Sequence, residues 1–257
     1  MRERLGLSRI GAPLVVGFFS LPLLALVVRA FADVWRAPAL VPQRFGTRGF
    51  DVAFATGDAG GAFANSMIVA LVTVTIGLAL AWPAARVLGE RRLRHPALVF
   101  TLLAMPFLVP PFAIGTGLTT WFIRLGLIDT LPGIVLAHLT AVLPYVVAIL
   151  LSGFGPKMRE LEEMARSLGA SPRQRLAWVT VPAVRPTLAA ATVLGFLVSW
   201  GQYGSTLAVG GGKPLLPLIL QPFIGSDPEV AAALSLLFFV PAVGAIVVAA
   251  RSARAPL

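Results

Sequence analysis

Two histidines, eleven carboxylates and no cysteine are all that this chain of 257 residues offers for nucleophilic, acid–base or metal chemistry. Without cysteine there is no thiolate nucleophile, thiolate metal site or disulfide. His95 and His138 have no acid near them within an apolar stretch, so no nucleophile–base pair is spelled out. Gly210-Gly211-Gly212-Lys213 has the look of a phosphate loop. A Walker A sequence, however, needs a glycine five positions before its last glycine and Ser or Thr after the lysine. Leu207 and Pro214 stand there instead, so ATP hydrolysis is not expected of this chain.

The densest charge lies in ELEEMARSLGASPRQRLAWVTVP, residues 160–182. Leu161, Met164, Ala165 and Leu168 recur at i, i+3, i+4 and i+7 and predict one apolar helical face. Glu162 with Arg166, and Arg159 with Glu163, are spaced as i, i+4 ion pairs. Gly169 should end that helix as a C′ glycine. Ser171 should cap a second helix with Pro172 in its first turn, and this short helix should end before Pro182. The chemistry open to such an element is recognition. A bilayer surface would accept its amphipathic shape, but anionic lipid repels Glu160, Glu162 and Glu163, and Leu176 with Trp178 forms a compact apolar anchor suited to a protein pocket.

The rest of the chain explains where that element is held. Fifty-seven per cent of residues are hydrophobic, only 12% are charged, and mean hydropathy is +0.87. A soluble domain is about one quarter charged, so this composition is that of a membrane protein. Windows free of Asp, Glu, Lys and Arg fall at 10–28, 59–85, 96–123, 130–156, 186–212 and 230–250. Each is long enough for the roughly 20 residues that cross about 30 Å of hydrocarbon. The expected architecture is therefore all-α, with six transmembrane helices in one membrane domain over residues 1–257. Residues 214–226 are charge-free but short and proline-interrupted, and fit an interfacial or re-entrant segment. Of the 21 Lys and Arg, 15 fall at the termini and in the loops after spans 2 and 4 (Arg2, Arg91, Arg92 and Arg254 among them). The excess places both termini, and the loop 153–186, on the cytoplasmic side. The net charge of +10 is accounted for by this distribution and by anionic lipid, and nucleic acid is not an expected partner. Ala30-Phe31-Ala32 after the first span resembles a signal-peptidase site, but the apolar run is longer than a usual signal core, and span 1 is expected to be retained.

Further along, Asn65 and Ser66 are placed to cap span 2. Pro106, Pro110, Pro111, Gly115 and Gly117 crowd span 3. Such breakers survive in a bilayer where protein or a water-filled cavity satisfies the freed backbone, so span 3 should face protein or a pathway more than lipid. Span 5 is expected over about 187–207. No window holds a charged side chain, and His138 is the one titratable group at depth. An ion-coupled carrier would need more. Ser199, Trp200, Gln202, Tyr203 and Thr206 are the polar members of span 5, able to line a path or to bond between helices. His138 is expected to be an interhelical hydrogen-bonder.

Glu163-Met164-Ala165, three residues, Gly169, nine residues, then Val179-Thr180-Val181-Pro182 resembles the EAA loop of ABC importer permeases, E-A-A, x3, G, x9, I-x-L-P. Met164, Val179 and Val181 depart from it by modest apolar exchanges, and the likeness extends over about residues 60–250. The resemblance implies a type I ABC importer permease fold in a bacterial inner membrane. The loop would be the coupling element, with Glu163, Ala165, Gly169, Ser171, Arg173, Arg175, Leu176, Trp178 and Pro182 meeting a separate ATPase. It further implies two ATPase subunits, which bind ATP and Mg, a second permease (a homologue or a copy of this chain), and an extracytoplasmic substrate-binding protein. The chain itself would hold no cofactor and be no enzyme. MPFLVPP, LPY and GGGKPLLPL resemble the branch serving polyamines, thiamine, ferric iron, sulfate and molybdate more than the sugar branch. A stand-alone secondary carrier or membrane enzyme is the competing reading, and it would rest on His138 alone.

Overall fold

The computed structural model describes residues 3–56, 58–90 and 93–254, with side chains over 17–55, 58–90 and 93–251. The topology argument from Arg2, Arg91 and Arg92, and from the side chains of Arg4, Arg9 and Arg254, lies outside the described residues. The chain divides into two compact units, residues 1–63 with 219–240, and residues 64–218 with 241–257.

In the first unit, helix α1 (Glu3–Ala30) is followed by a small hairpin and helix α2 (Arg48–Thr56). Strand β1 (Ala32–Val34) pairs antiparallel with β2 (Arg44–Phe45), the one departure from an all-helical chain among the described residues. Asp33 organises this corner. Its carboxylate accepts from the Arg48 backbone N–H at 3.1 Å and pairs with Arg44 at 3.2 Å. Arg48 in turn makes a two-pronged contact with Asp227, at 2.8 and 2.9 Å. Such forked charge-assisted bonds fix orientation as well as energy. The hydrogen bond with Arg48 holds the Asp227 carboxyl below its usual value of 3.8, and the same contact raises Arg48.

The second unit carries helices α3 (Ala59–Gly89, whose first residues lie in the other unit), α4 (Pro96–Ala104), α5 (Pro111–Arg124), α6 (Leu131–Leu151), α7 (Pro156–Ser167), α8 (Pro172–Arg175), α9 (Val181–Trp200) and α10 (Gly204–Gly210). Short helix α11 (Leu216–Leu220) lies at the division between the units, α12 (Phe223–Ser226) belongs to the first unit, and the last helix, α13 (Pro228–Arg254), begins in the first and ends in the second. Helix α6 is the most enclosed. Thr130 caps it, accepting from the Gly133 N–H at 3.1 Å. Ala81, Ala85, Val142, Val146, Leu150, Val184 and Ala191 form an apolar core where α3, α6 and α9 meet. Gly195 sits in that seam, where a side-chain carbon would lie 2.9 Å from Val146 and 3.0 Å from Val74. The helices approach closely because a hydrogen is all that is there.

Among the described residues four stretches are long and apolar enough to cross a membrane: Ala59–Gly89, Leu131–Leu151, Pro172–Trp200 and Pro228–Arg251. The third expected span is not one straight helix. α4 with its 3-10 continuation (Met105–Leu108) and α5 are bent by 99° at Val109-Pro110. Pro110 and Pro111 remove two consecutive N–H donors, and a helix cannot be carried through such a pair. The α5 half packs against α10 and α6, and the α4 half also meets protein: Val99 and Leu103 lie partly buried against the apolar core and Phe107 stands edge-on to Tyr145 of α6, although no residue of α4 is fully buried.

Two further expectations change. Helix α3 begins before Asn65 and Ser66, so they cap nothing on it; Asn65 donates to the Pro214 carbonyl at 3.0 Å and Ser66 accepts from Leu216 N–H at 2.9 Å. Span 5 stops at Trp200 rather than about 207, broken at 201–203 before α10. Residues 214–226 form short helices, as their prolines suggest.

The depressed Asp227 gives a signed pH dependence. Its contribution to stability should be complete above its unfolded pKa and should fade as pH drops through its lower folded value. Acid scans of thermal unfolding in detergent should therefore show a loss below about pH 4 that Asp227→Asn removes.

Candidate functional site

The charged stretch folds into a helix, an elbow and a second helix. α7 ends in the hydrogen-bond pattern of a Schellman motif, with Gly169 N–H donating to the Arg166 carbonyl at 2.9 Å and Ala170 N–H to the Ala165 carbonyl at 3.0 Å. Gly169 has φ of +83°, which glycine adopts without a steric penalty. Ser171 then opens α8 with a reciprocal capping box, its hydroxyl accepting from Gln174 N–H while the Gln174 side chain accepts from Ser171 N–H. Elbow and cap stand where the sequence puts them.

Beyond α8 the backbone departs from expectation. The second helix does not end before Pro182. Leu176–Thr180 widens into a π turn and runs directly into α9. Val181 N–H donates to the Leu176 carbonyl, five residues back. The wider turn carries the helix past Pro182, which has no N–H to give and whose ring would strike the carbonyl four residues before it in an α-helix.

Of the nine residues assigned to this element, Glu163 is exposed and pairs with Arg159 at 2.9 Å, as its spacing predicts, and Arg173 is exposed. Ala165, Arg175 and Pro182 are half-buried. Leu176 and Trp178 are open, Trp178 at 75%, alongside Leu168 at 88%. Glu160, Glu163, Met164, Ser167 and Leu168 line a shallow groove on α7. An indole and several aliphatic side chains thus stand in the open beside carboxylates, a mixture of the kind that suits recognition by a protein.

Glu162 breaks from expectation. Among the described residues its pair with Arg166 is not formed. The carboxylate turns inward, bonded to the Arg86 guanidinium of α3 on one oxygen and to the Thr180 hydroxyl at 2.5 Å on the other. Arg86 also binds Glu90 at 2.8 Å. Glu162 is 8% exposed and Thr180 is fully enclosed. The spacing of Glu162 and Arg166 hid this arrangement, because the competing partner lies 76 residues away; the one available signal was Arg86 at the end of an apolar helix.

The second cluster gathers the polar residues of span 5. His138 of α6 bonds Ser199 through Nδ1 at 2.9 Å and Thr206 through Nε2 at 2.8 Å. Thr206 also donates to the Gln202 carbonyl at 2.6 Å, and Ser205 to the Gln202 side chain at 3.2 Å. One imidazole thus straps α9 to α10 across their break. Ser199, Trp200, Gln202 and Thr206 are buried, Trp200 stacking on Phe196, and Tyr203 is the open member of the five. Among the described residues no group of three His, Cys, Asp or Glu could hold a metal ion.

The sequence profile of the binding-protein-dependent transport system inner membrane component family matches residues 74–255. The molybdenum transport system permease protein ModB of Mycobacterium bovis is 32% identical over 208 residues, 75% of this chain and 78% of that protein. The trehalose transport system permease protein SugB of Mycobacterium tuberculosis is 28% identical over 225 residues, 83% and 80% of the two chains. Among solved structures, a chain of a bacterial ABC transporter involved in import of the acidic polysaccharide alginate superposes with a TM-score of 0.76, at 18% identity and 98% coverage of both. That last likeness shows the fold.

Replacing His138 by Leu should cost about 1–2 kcal/mol, the scale of interhelical hydrogen bonds in bilayers, read as a lower melting temperature in detergent. Ser199→Ala should add little in the His138→Leu background if the two act as one strap.

Proposed function

The chain belongs to the binding-protein-dependent transport system inner membrane components and is the permease component of an ABC importer, and from that membership we propose how it is assembled and driven. Six spans, with α1 the first and the broken α4–α5 pair the third, put both termini and residues 153–186 on the cytoplasmic side of a bacterial inner membrane. A second permease, a homologue or another copy, completes the pathway. Two separate ATPase subunits bind ATP and Mg and perform the hydrolysis, and an extracytoplasmic binding protein delivers the solute. The chain itself holds no cofactor.

The observation that carries this reading is the open face of the elbow, with Trp178 and Leu176 on the π turn and Glu163 and Met164 on α7. A 75% exposed indole beside carboxylates that anionic lipid repels is better covered by another protein than by headgroups. Glu163, Ala165, Gly169, Ser171, Arg173, Arg175, Leu176, Trp178 and Pro182 form or frame this docking element. A partner that binds it differently in its ATP-bound and ATP-free states shifts the permease between two forms.

For the pathway, Tyr203 is the member of the span 5 set that presents itself, while Ser199, Trp200, Gln202 and Thr206 hold it from behind with His138. The solute is small and polar, and its selection rests with the binding protein. Molybdenum transport, the activity named for one relative, lies within the branch the sequence resembles, whereas trehalose transport lies outside it.

Trp178→Ala, and separately Gly169→Val, should leave membrane insertion intact while the ATPase no longer co-purifies. Co-purification at wild-type levels in both variants would remove the docking role.

A further inference from the structure

Glu162 and Glu163 are neighbours with opposite fates. Glu163 is exposed on α7 and paired with Arg159, whereas Glu162 is sealed against the protein. A carboxylate is buried at a cost that only close pairing and hydrogen bonding offset. Here both oxygens are used, by Arg86 near the end of α3 and by Thr180 at the last position of the π turn. Thr180 is held in turn, 3.3 Å from the Arg175 carbonyl. Arg86 is anchored from its own helix by Glu90. One side chain therefore joins three elements: the helix before the elbow, the helix after it, and a long apolar helix whose sequence position is 76 residues earlier.

We propose that Glu162 is the positioning residue that makes the docking element and α3 move as one body. The inference rests on the reading of residues 160–182 as the ATPase-docking element. Without Glu162, α7 would be joined to the spans by its chain connections, by the longer-range attraction between Arg159 and Glu90 and by apolar packing of Met158 and its neighbours, which tolerate sliding more readily than a directional, hydrogen-bonded ion pair does. With it, displacement of the elbow is shared with α3 as well as α9. Thr180 adds the second half, because its bond reaches Glu162 from the π turn. Glu163 stays exposed toward the partner's surface, paired with Arg159 of its own helix.

The absence of cysteine makes the test direct. Spin labels on Leu80→Cys of α3 and Lys157→Cys of α7, both exposed positions outside the docking groove, report the separation of the two helices in the complete transporter reconstituted in proteoliposomes. Distances are read without nucleotide and after trapping with ATP and vanadate. With Glu162 present, the two distance distributions should coincide. In Glu162→Gln they should separate on trapping, with a second peak at a new distance, while ATPase co-purification is retained. Thr180→Val, which keeps the ion pair and nearly the same volume, should give the same change to a smaller extent. It also serves as the measurement should Glu162→Gln fail to insert. Superposable distributions in the variants, or a shift already present with Glu162 intact, would overturn the role of Glu162 alone. A wild-type complex that binds no ATPase would overturn the docking reading beneath it. A purely structural role would lower the melting temperature of the variants without changing the response to trapping, and that result too would overturn the proposal.

Discussion

A polar group inside an apolar slab has no water to bind, so each break in a helix must be closed by protein. This constraint shapes the second unit more than any single contact. The break between α9 and α10 is closed locally by Gly201 N–H on the Leu197 carbonyl and Leu207 N–H on the Tyr203 carbonyl, at 3.0 and 2.8 Å. His138 then ties its two sides together from α6. Ser66 and Asn65 do the same for the turn at 214–216, reaching it from α3. The polar residues of this oily chain are thus concentrated where the backbone is interrupted. Their burial follows from that duty and argues against reading every intramembrane hydroxyl as part of a path.

Charge obeys a related rule. A charged side chain is kept out of the spans and gathers where water or a counter-charge is at hand. Asp33, Arg48 and Asp227 illustrate it in the loops of the first unit, and Arg86, Glu90 and Glu162 at the end of α3. Consecutive residues on a helix are turned by about 100° from one another. Two adjacent glutamates on α7 can therefore serve two faces, one sealed onto the spans and one open to a partner.

Much of this was legible in the sequence, and the limits have physical reasons. Charge-free windows located α6 and α13 well, because length and hydropathy are local properties of the chain. The elbow was legible for the same reason: Gly169, Ser171, Pro172 and Gln174 act on residues three or four positions away. Arg159 with Glu163 was equally local. The Glu162 contact was not, since its partner is set by which helices pack together. Nor could the 99° bend at Val109-Pro110 be told from a straight span by composition alone. Prolines announced an interruption there without giving its angle. The five polar residues of span 5 were visible as a set, but the direction each one faces depends on where α6 and α10 lie.

Pro182 shows how a local signal can be overruled. Proline in a helix interior normally ends it, and residues 176–182 read alone as a stop. The π turn at Leu176–Thr180 moves the hydrogen-bond register back by one residue, and such turns cluster at functional sites. The result is a helical stretch from Pro172 to Trp200, 29 residues or about 43 Å at 1.5 Å per residue. Trp178 stands near one end and Ser199, bonded to His138, at the other. The two clusters are therefore parts of one rod. On the proposed docking role, a push received at the exposed indole would have a continuous helix along which to reach the strap at the α9–α10 break, and Thr180 bonds Glu162 close beside it. Had Pro182 ended the helix, a flexible joint would lie between the two, and motion at the elbow would be absorbed there. The π turn removes that joint, and it does so with the same five residues that carry the indole.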